Sequence, residues 1–369
     1  MRFAIFLLTL SSVFYLHAQN RPPIDSSLRM DFEKYDPPSR LVVPENPVPR
    51  ASFPFIDVHS HHWRMAEQDL DQLIREMDSL NMAIVVNLSG RGGQALKGIM
   101  DNIKKYGHEN RIICFTNIEI RSIDEADWLE NTLKQLEYDH SIGARGLKIY
   151  KSQGMEHKDK NGARIRINDP RLDPVWAKCG ELGMPVLIHA ADPKAFWEPM
   201  DETNERWLEL KLHPGRQRSA DNPAPWETII AESHDIFRKH PRTNFINAHL
   251  GWFPNDLEKL GKLLDEMPNM YVEIGAVISE LGRQPRMANR FFKKYQDRVL
   301  FGKDSYQTNE YPTYFRVLES DDEYFPYYKR YHAFWRMYGL DLPDEILKKL
   351  YYKNALKLIP GLDKKLFPK

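Results

Sequence analysis

Phe55-Ile56-Asp57-Val58-His59-Ser60-His61 begins the part of the chain that repeats. It is a short β-rich run that ends in histidines. Residues two apart on a strand point to the same side, so His59 and His61 project together from the strand's C-terminal end. Runs of the same kind recur: Phe53–Val58 is followed by Met82–Leu88, Arg111–Asn117, Ala144–Ile149, Pro185–His189, Asn244–His249, Met270–Gly275 and Arg298–Lys303. A strand, a helix and two loops take roughly 30 residues, and most of the starts are about that far apart. Helix-period segments lie between the runs. In Asp69–Leu80, for instance, Leu70, Leu73, Ile74 and Met77 fall at i, i+3, i+4 and i+7 on one face. Eight strands alternating with helices predict an α/β fold, a closed (β/α)8 TIM barrel of roughly 250 residues plus insertions. An open doubly wound sheet is the competing arrangement. No Gly-x-Gly-x-x-Gly follows the first strand, which weakens its nucleotide-binding form.

A barrel presents its reactive groups where strands end. Strand four runs Gly146-Leu147-Lys148-Ile149-Tyr150, strand five ends at His189, and strand six ends Asn247-Ala248-His249 before Leu250-Gly251-Trp252. Strand eight ends Phe301-Gly302-Lys303-Asp304. Two imidazoles on one face of strand one are natural ligands for a divalent transition metal. Any one of these residues has a plainer explanation, because strand-end His and Asp often cap loops and helices. His62, one step beyond His61, should face away from it and play such a plain part. Five strands giving a consistent set favour a site.

The pattern Asp57-x-His59-x-His61, His189, His249 and Asp304 resembles the amidohydrolase superfamily, and more closely its amidohydrolase-2 branch of metal-dependent TIM-barrel hydrolases and decarboxylases. Gly146-Leu147-Lys148, Ala248-His249-Leu250-Gly251, Phe301-Gly302-x-Asp304 and the closing Asn354-Ala355-Leu356-Lys357-Leu358 add to the resemblance, which covers roughly residues 53–360. It implies His59, His61, His189 and Asp304 as the metal set, with His249 as acid/base or substrate-polarising residue. A metal lowers the pKa of bound water to about 7. Asp304 can accept that water's proton, and a nearby His can donate to a leaving group. In two-metal members of the superfamily a strand-four Lys is carboxylated and bridges the ions. An unmodified Lys148 ammonium would instead disfavour a second cation. The preferred expectation is one zinc ion, or manganese, with Lys148 holding an anionic or carbonyl oxygen; two ions would accompany a carboxylated Lys148.

The interval between strands five and six is about twice the others and carries Phe196, Trp197, Arg206, Trp207 and Trp226. Long βα insertions lie over a barrel's active face, so this one should form a lid or pocket wall. Its tryptophans, Trp197 among them, either stack a substrate ring or form the insertion's own core. Trp197, Trp252 and Arg283 are the candidate substrate contacts, Arg283 because a guanidinium just past strand seven can grip a carboxylate; it could equally pair with Glu280. A second insertion follows Asp304. Its aromatic-dense segment Tyr306–Tyr338 should pack against the barrel. Lys151–Arg166 reads as a hairpin-like excursion near the rim.

The 369 residues hold 52 Lys+Arg against 52 Asp+Glu, with 42% hydrophobic residues. That balance removes the electrostatic case for a nucleic-acid or anionic-membrane partner. Mean hydropathy is −0.58, and no apolar run after the N-terminus reaches the roughly 18 residues that span a bilayer. Residues 1–18, with Arg2 before an apolar stretch and Leu16-His17-Ala18 at its end, read as a secretory signal peptide. The protein is therefore expected to be exported, to the periplasm or beyond. Residues 19–52 are rich in proline and should form an extended arm, leaving 53–369 as a single barrel domain. Cys114 and Cys179 read as buried small hydrophobes rather than a disulfide. The function expected is a metal-dependent hydrolase acting on a C–O or C–N bond of a small molecule. The alternatives are a non-oxidative decarboxylase of the same family, or an exported binding protein without catalysis. A homodimer is compatible with the composition.

Overall fold

A computed structural model describes residues 29–368. The expected signal segment, 1–18, lies outside the described residues. Two units separate between Val42 and Val43. In the first, a 3-10 turn at Phe32–Lys34 is capped by the Asp31 carboxylate, which accepts from the Glu33 N–H. In the second, residues before the barrel are tied down by polar contacts. The Asn46 backbone and side-chain amides both donate to Asp322, and Asn81 Nδ2 donates to the Ala51 carbonyl.

The barrel strands are β1 (Phe55–Ser60), β2 (Met82–Asn87), β3 (Ile112–Cys114), β4 (Leu147–Ile149), β5 (Val186–Ile188), β6 (Phe245–Asn247), β7 (Met270–Glu273) and β8 (Val299–Leu300). Each pairs in parallel with the next in β1-β2-β3 and again in β4-β5-β6-β7-β8. A parallel bridge from Thr116 to Leu147 joins the two runs, and one from Ser60 to Asp304 brings β8 back to β1. The Val58 N–H also donates to Phe301 O at 3.0 Å. Side chains on both faces of β1 to β6 are buried. That is why the strands read as unbroken apolar runs rather than alternating ones.

All eight expected strands are present, most of them shorter at the C-terminal end than the apolar runs. Beyond the paired residues the chain turns into the barrel mouth, and there His249 (φ 58°), Ala276 (φ 57°) and Asp304 (φ 80°) take left-handed backbone angles. Side chains other than glycine adopt that region at a cost, and such strain gathers at functional sites. The helix after β1 spans Leu70–Leu80, with the Asp69 carboxylate capping two N–H groups and Asn81 ending it at φ 69°. Leu70, Leu73 and Met77 are buried as expected; Ile74 lies at the edge of that face and is half-buried.

The insertion after β5 holds a 3-10 turn at Lys194–Trp197 and a helix at Trp207–Leu212. After β8, the helix Tyr311–Glu319 leads to a short hairpin, β9 (Phe325–Pro326) with β10 (Arg336–Met337). Phe325 and Tyr327 of the aromatic-dense segment pack into the core, whereas Tyr324 and Tyr331 are exposed. The Lys151–Arg166 segment differs from expectation. It starts as a helix, Lys151–Met155, and only a bridge between Lys158 and Arg164 is hairpin-like. Both cysteines are free and buried, and burial pushes the Cys114 thiol up to about 12. Among the described residues, no helix is long and apolar enough to cross a membrane.

Candidate metal centre

His59 and His61 leave β1 on the same side, with ring centroids 5.3 Å apart. Asp304, brought beside them by the β8–β1 bridge, places Oδ1 3.4 Å from His59 Nε2 and 3.5 Å from His61 Nε2. The His59 ring is held from behind, because its Nδ1–H donates to Glu273 Oε1 at 3.0 Å. That bond fixes the tautomer and leaves Nε2, buried and without a hydrogen-bond partner, turned to the centre. Ser89 Oγ lies 2.7 Å from His61 Nδ1 and can play the same part for that ring.

His189 and His249 form the other wall. The His249 Nδ1–H donates to the Gly275 carbonyl at 2.7 Å, which leaves its Nε2 as acceptor, 3.4 Å from His189 Nδ1. A proton on His189 Nδ1 satisfies that contact. The His189 Nε2 is then bare, and it is buried without a partner. The His249 ring lies tilted against those of His59 and Trp252, with centroids 5.0 Å and 4.6 Å away. Lys148 is fully buried beneath the group, and its Nζ has no hydrogen-bond partner.

Burial, and then the Lys148 charge, hold His59 well below the ordinary imidazole range and His61 at about 4; Asp304 pulls both the other way. His189 is also held low, by burial and then His249. Burial alone would raise the Asp304 carboxyl, but His59, His249, His61 and Lys148 around it bring it down to about 2. Near neutral pH His59, His61 and His189 are thus held neutral and Asp304 ionised, the form in which these side chains ligate metals. Desolvation pushes Lys148 down to about 8 against the attraction of Asp304 and Glu273.

Two overlapping donor groups could hold an ion: His59, His61 and Asp304, or His59, His249 and Glu273. Hydrogen bonding decides between them. Glu273 Oε1 already accepts from His59 Nδ1 and from the His249 backbone N–H, and Oε2 accepts from the Gly275 N–H. It is a holder of histidines. The first group has Nε2 atoms that make no hydrogen bond, whereas His189 belongs to neither group and meets the centre through His249, its Nε2 buried without a partner.

The remaining expected residues divide. Trp252 is in the centre, buried, 5.8 Å from the His189 ring. Trp197 is elsewhere: its indole N–H donates to the Ala224 carbonyl within the insertion. Arg283 pairs with Glu205 at 2.9 Å and lies over the Trp335 ring at 4.0 Å. His62 does turn away, to Ser60 Oγ at 3.1 Å and to the Tyr306 ring. Glu273 and Ser89 were not anticipated. An acid within the apolar run Met270–Gly275 was the available signal for Glu273; Ser89 carries none, since a serine after a strand is commonplace. Asp57, of the opening motif, lies under the centre. It accepts from the His59 and Lys303 N–H groups and from the Tyr311 hydroxyl, and burial raises its carboxyl to about 7.

Solved structures share this fold. An uncharacterised TIM-barrel protein from Bordetella bronchiseptica aligns with a TM-score of 0.51 at 15% identity, over 82% of this chain and 97% of its own. A 2,6-dihydroxybenzoate decarboxylase from Rhizobium aligns with a TM-score of 0.51 at 12% identity, over 82% of this chain and 98% of its own. At such identities the likeness is one of fold. No curated protein sequence matches the chain. The amidohydrolase family model matches residues 122–361, a stretch that takes in Lys148, His189, His249, Glu273 and Asp304. With most of the chain matched and the barrel and its strand-end histidines in place, this protein belongs to the amidohydrolase family.

Proposed function

We propose that the protein is a metal-dependent hydrolase that cleaves a C–O or C–N bond, in a lactone, ester or amide, of a small molecule. The supporting observation is the convergence of the His59 and His61 Nε2 atoms on the ionised Asp304 at the barrel mouth, the His59 Nε2 being buried and without a partner. His59, His61, His189 and Asp304 would hold one divalent ion, with zinc first and manganese second among candidates. When bound, the ion supplies a Lewis acid and lowers the pKa of a water to about 7. Asp304, whose side chain stays 32% exposed, can take up a proton at a carboxylate oxygen. His249, oriented by the Gly275 carbonyl, can hold or release a proton at Nε2. The buried Lys148 ammonium faces an anionic oxygen of the substrate, which would relieve its lack of a partner. Glu273 keeps His59 and the His249 backbone in register. The exported location inferred for residues 1–18 belongs to the same reading.

A panel of lactones, esters and amides in 18O-labelled water tests it. The expected result is one labelled oxygen in the product and no carbon dioxide, lost in His59→Ala. Carbon dioxide release without label would make the protein a decarboxylase. Equal turnover by wild type and His59→Ala would remove the metal centre from the account.

A further inference from the structure

Residues 302–310 carry the carboxylate of the metal set, and the two halves of this stretch differ. Before Asp304 the chain runs hard against the centre, where a Cβ on Gly302 would come within 2.9 Å of the His59 Cβ. The Asp304 N–H donates to the His59 carbonyl at 2.6 Å. After Asp304 the path is looser. Ser305, Gln307 and Asn309 are exposed, and Tyr306 is half-buried against the His62 ring. A helical turn forms only at Thr308–Glu310. The loop buries little of its own that would fix its course. Yet Asp304, at its head, sits at φ 80°, an angle that side chains other than glycine keep only where their surroundings impose it.

Lys303 supplies the constraint. It is among the largest fully buried side chains, 1% exposed. Its backbone N–H donates to Asp57 Oδ1, the oxygen that also accepts the His59 N–H. Its Nζ reaches around Asp304 and donates to the Ser305 carbonyl and, at 2.5 Å, to Glu310 Oε2. One lysine thus grips the chain on both sides of the metal-set carboxylate. Glu310 closes the loop, and Tyr311, next along, donates its hydroxyl to Asp57 Oδ2 at 2.6 Å. Burying a lysine against a carboxylate is a poor route to stability, because desolvating both groups offsets their attraction. Fixing one conformation against its alternatives is the better-attested use of such a pair.

We propose that Lys303 is a positioning residue of the metal centre: with Glu310 it staples the loop so that Asp304 presents its carboxylate to His59 and His61. The role rests on the reading of that centre as a metal site. Lys303 acts through Asp304, its own Nζ being committed to Ser305 and Glu310.

Zinc titration of the full chain, stripped of metal and in competition with a chromophoric chelator, tests the role, with thermal melts of the same stripped samples beside it. Lys303→Met/Glu310→Leu removes both charges of the pair together, so neither is left buried alone. That variant should bind zinc at least about tenfold more weakly than wild type, while its metal-free melting temperature stays at or above the wild-type value. A purely structural role would lower both, so a melting temperature that falls with the affinity overturns the proposal. The same two changes placed in Asp304→Asn should cost no further affinity, since the carboxylate they position is gone. An equal loss in that background, or wild-type affinity in the first variant, would also overturn it while leaving the metal centre standing. Absence of zinc binding by wild type would remove the metal centre, and this role with it.

Discussion

His59 is held on one side by Glu273 and faces Asp304 on the other, so the two ring nitrogens have separate tasks. Replacing the holder tests this. Glu273→Gln keeps the shape but weakens the grip on Nδ1–H, and metal affinity should fall about 10–100-fold by competition with a chelating dye. His249→Ala should keep its ion and lose rate, because the Gly275 carbonyl orients that ring toward proton transfer; loss of the ion would make it a ligand. Lys148 separates stability from function. Its buried Nζ has no partner, so Lys148→Met in metal-free protein should raise stability by about 1–3 kcal/mol in denaturant titration while turnover falls. The ligand-type residues were legible in the sequence because each ends an apolar run. Glu273 is not legible, because the run Met270–Gly275 reads as plain strand. Arg283 and Trp197 lay beyond reach for another reason. Their partners, Glu205 and Ala224, are distant in sequence or set by the path of an insertion, and periodicity carries no such information.

The strands behaved as their spacing predicted, since a parallel barrel buries both faces and writes itself as apolar runs. The insertions obey no such period. What holds them is a buried charge cluster. Arg206 donates to Glu209 at 2.8 Å and to Glu280 in the helix after β7, and it stacks on Trp335 of the β9–β10 hairpin. Truncating one member strands the others in a dry site. Arg206→Met should therefore destabilise the protein by about 3–5 kcal/mol in thermal or denaturant melts. Arg283→Met, which removes the half-exposed pair with Glu205, should cost about 1 kcal/mol or less. Equal losses in the two variants would show that the insertions are held by apolar packing alone.

At the scale of the whole molecule, barrel closure and site assembly are one event. The Ser60–Asp304 bridge that joins β8 to β1 also carries Asp304 to His59 and His61. A ligand bound only by the closed barrel stabilises it by mass action, about 4 kcal/mol at a thousand times its Kd. Chelation should accordingly lower the melting temperature of wild type and leave that of the double variant His59→Ala/His61→Ala unmoved. The most direct test of the centre is elemental analysis of the chain purified without chelator or added metal. The structure predicts one divalent ion per chain in wild type and none retained by the double variant. Two ions per chain would contradict Lys148 as a free ammonium. No ion in wild type, with none taken up on titration, would contradict the metal centre itself.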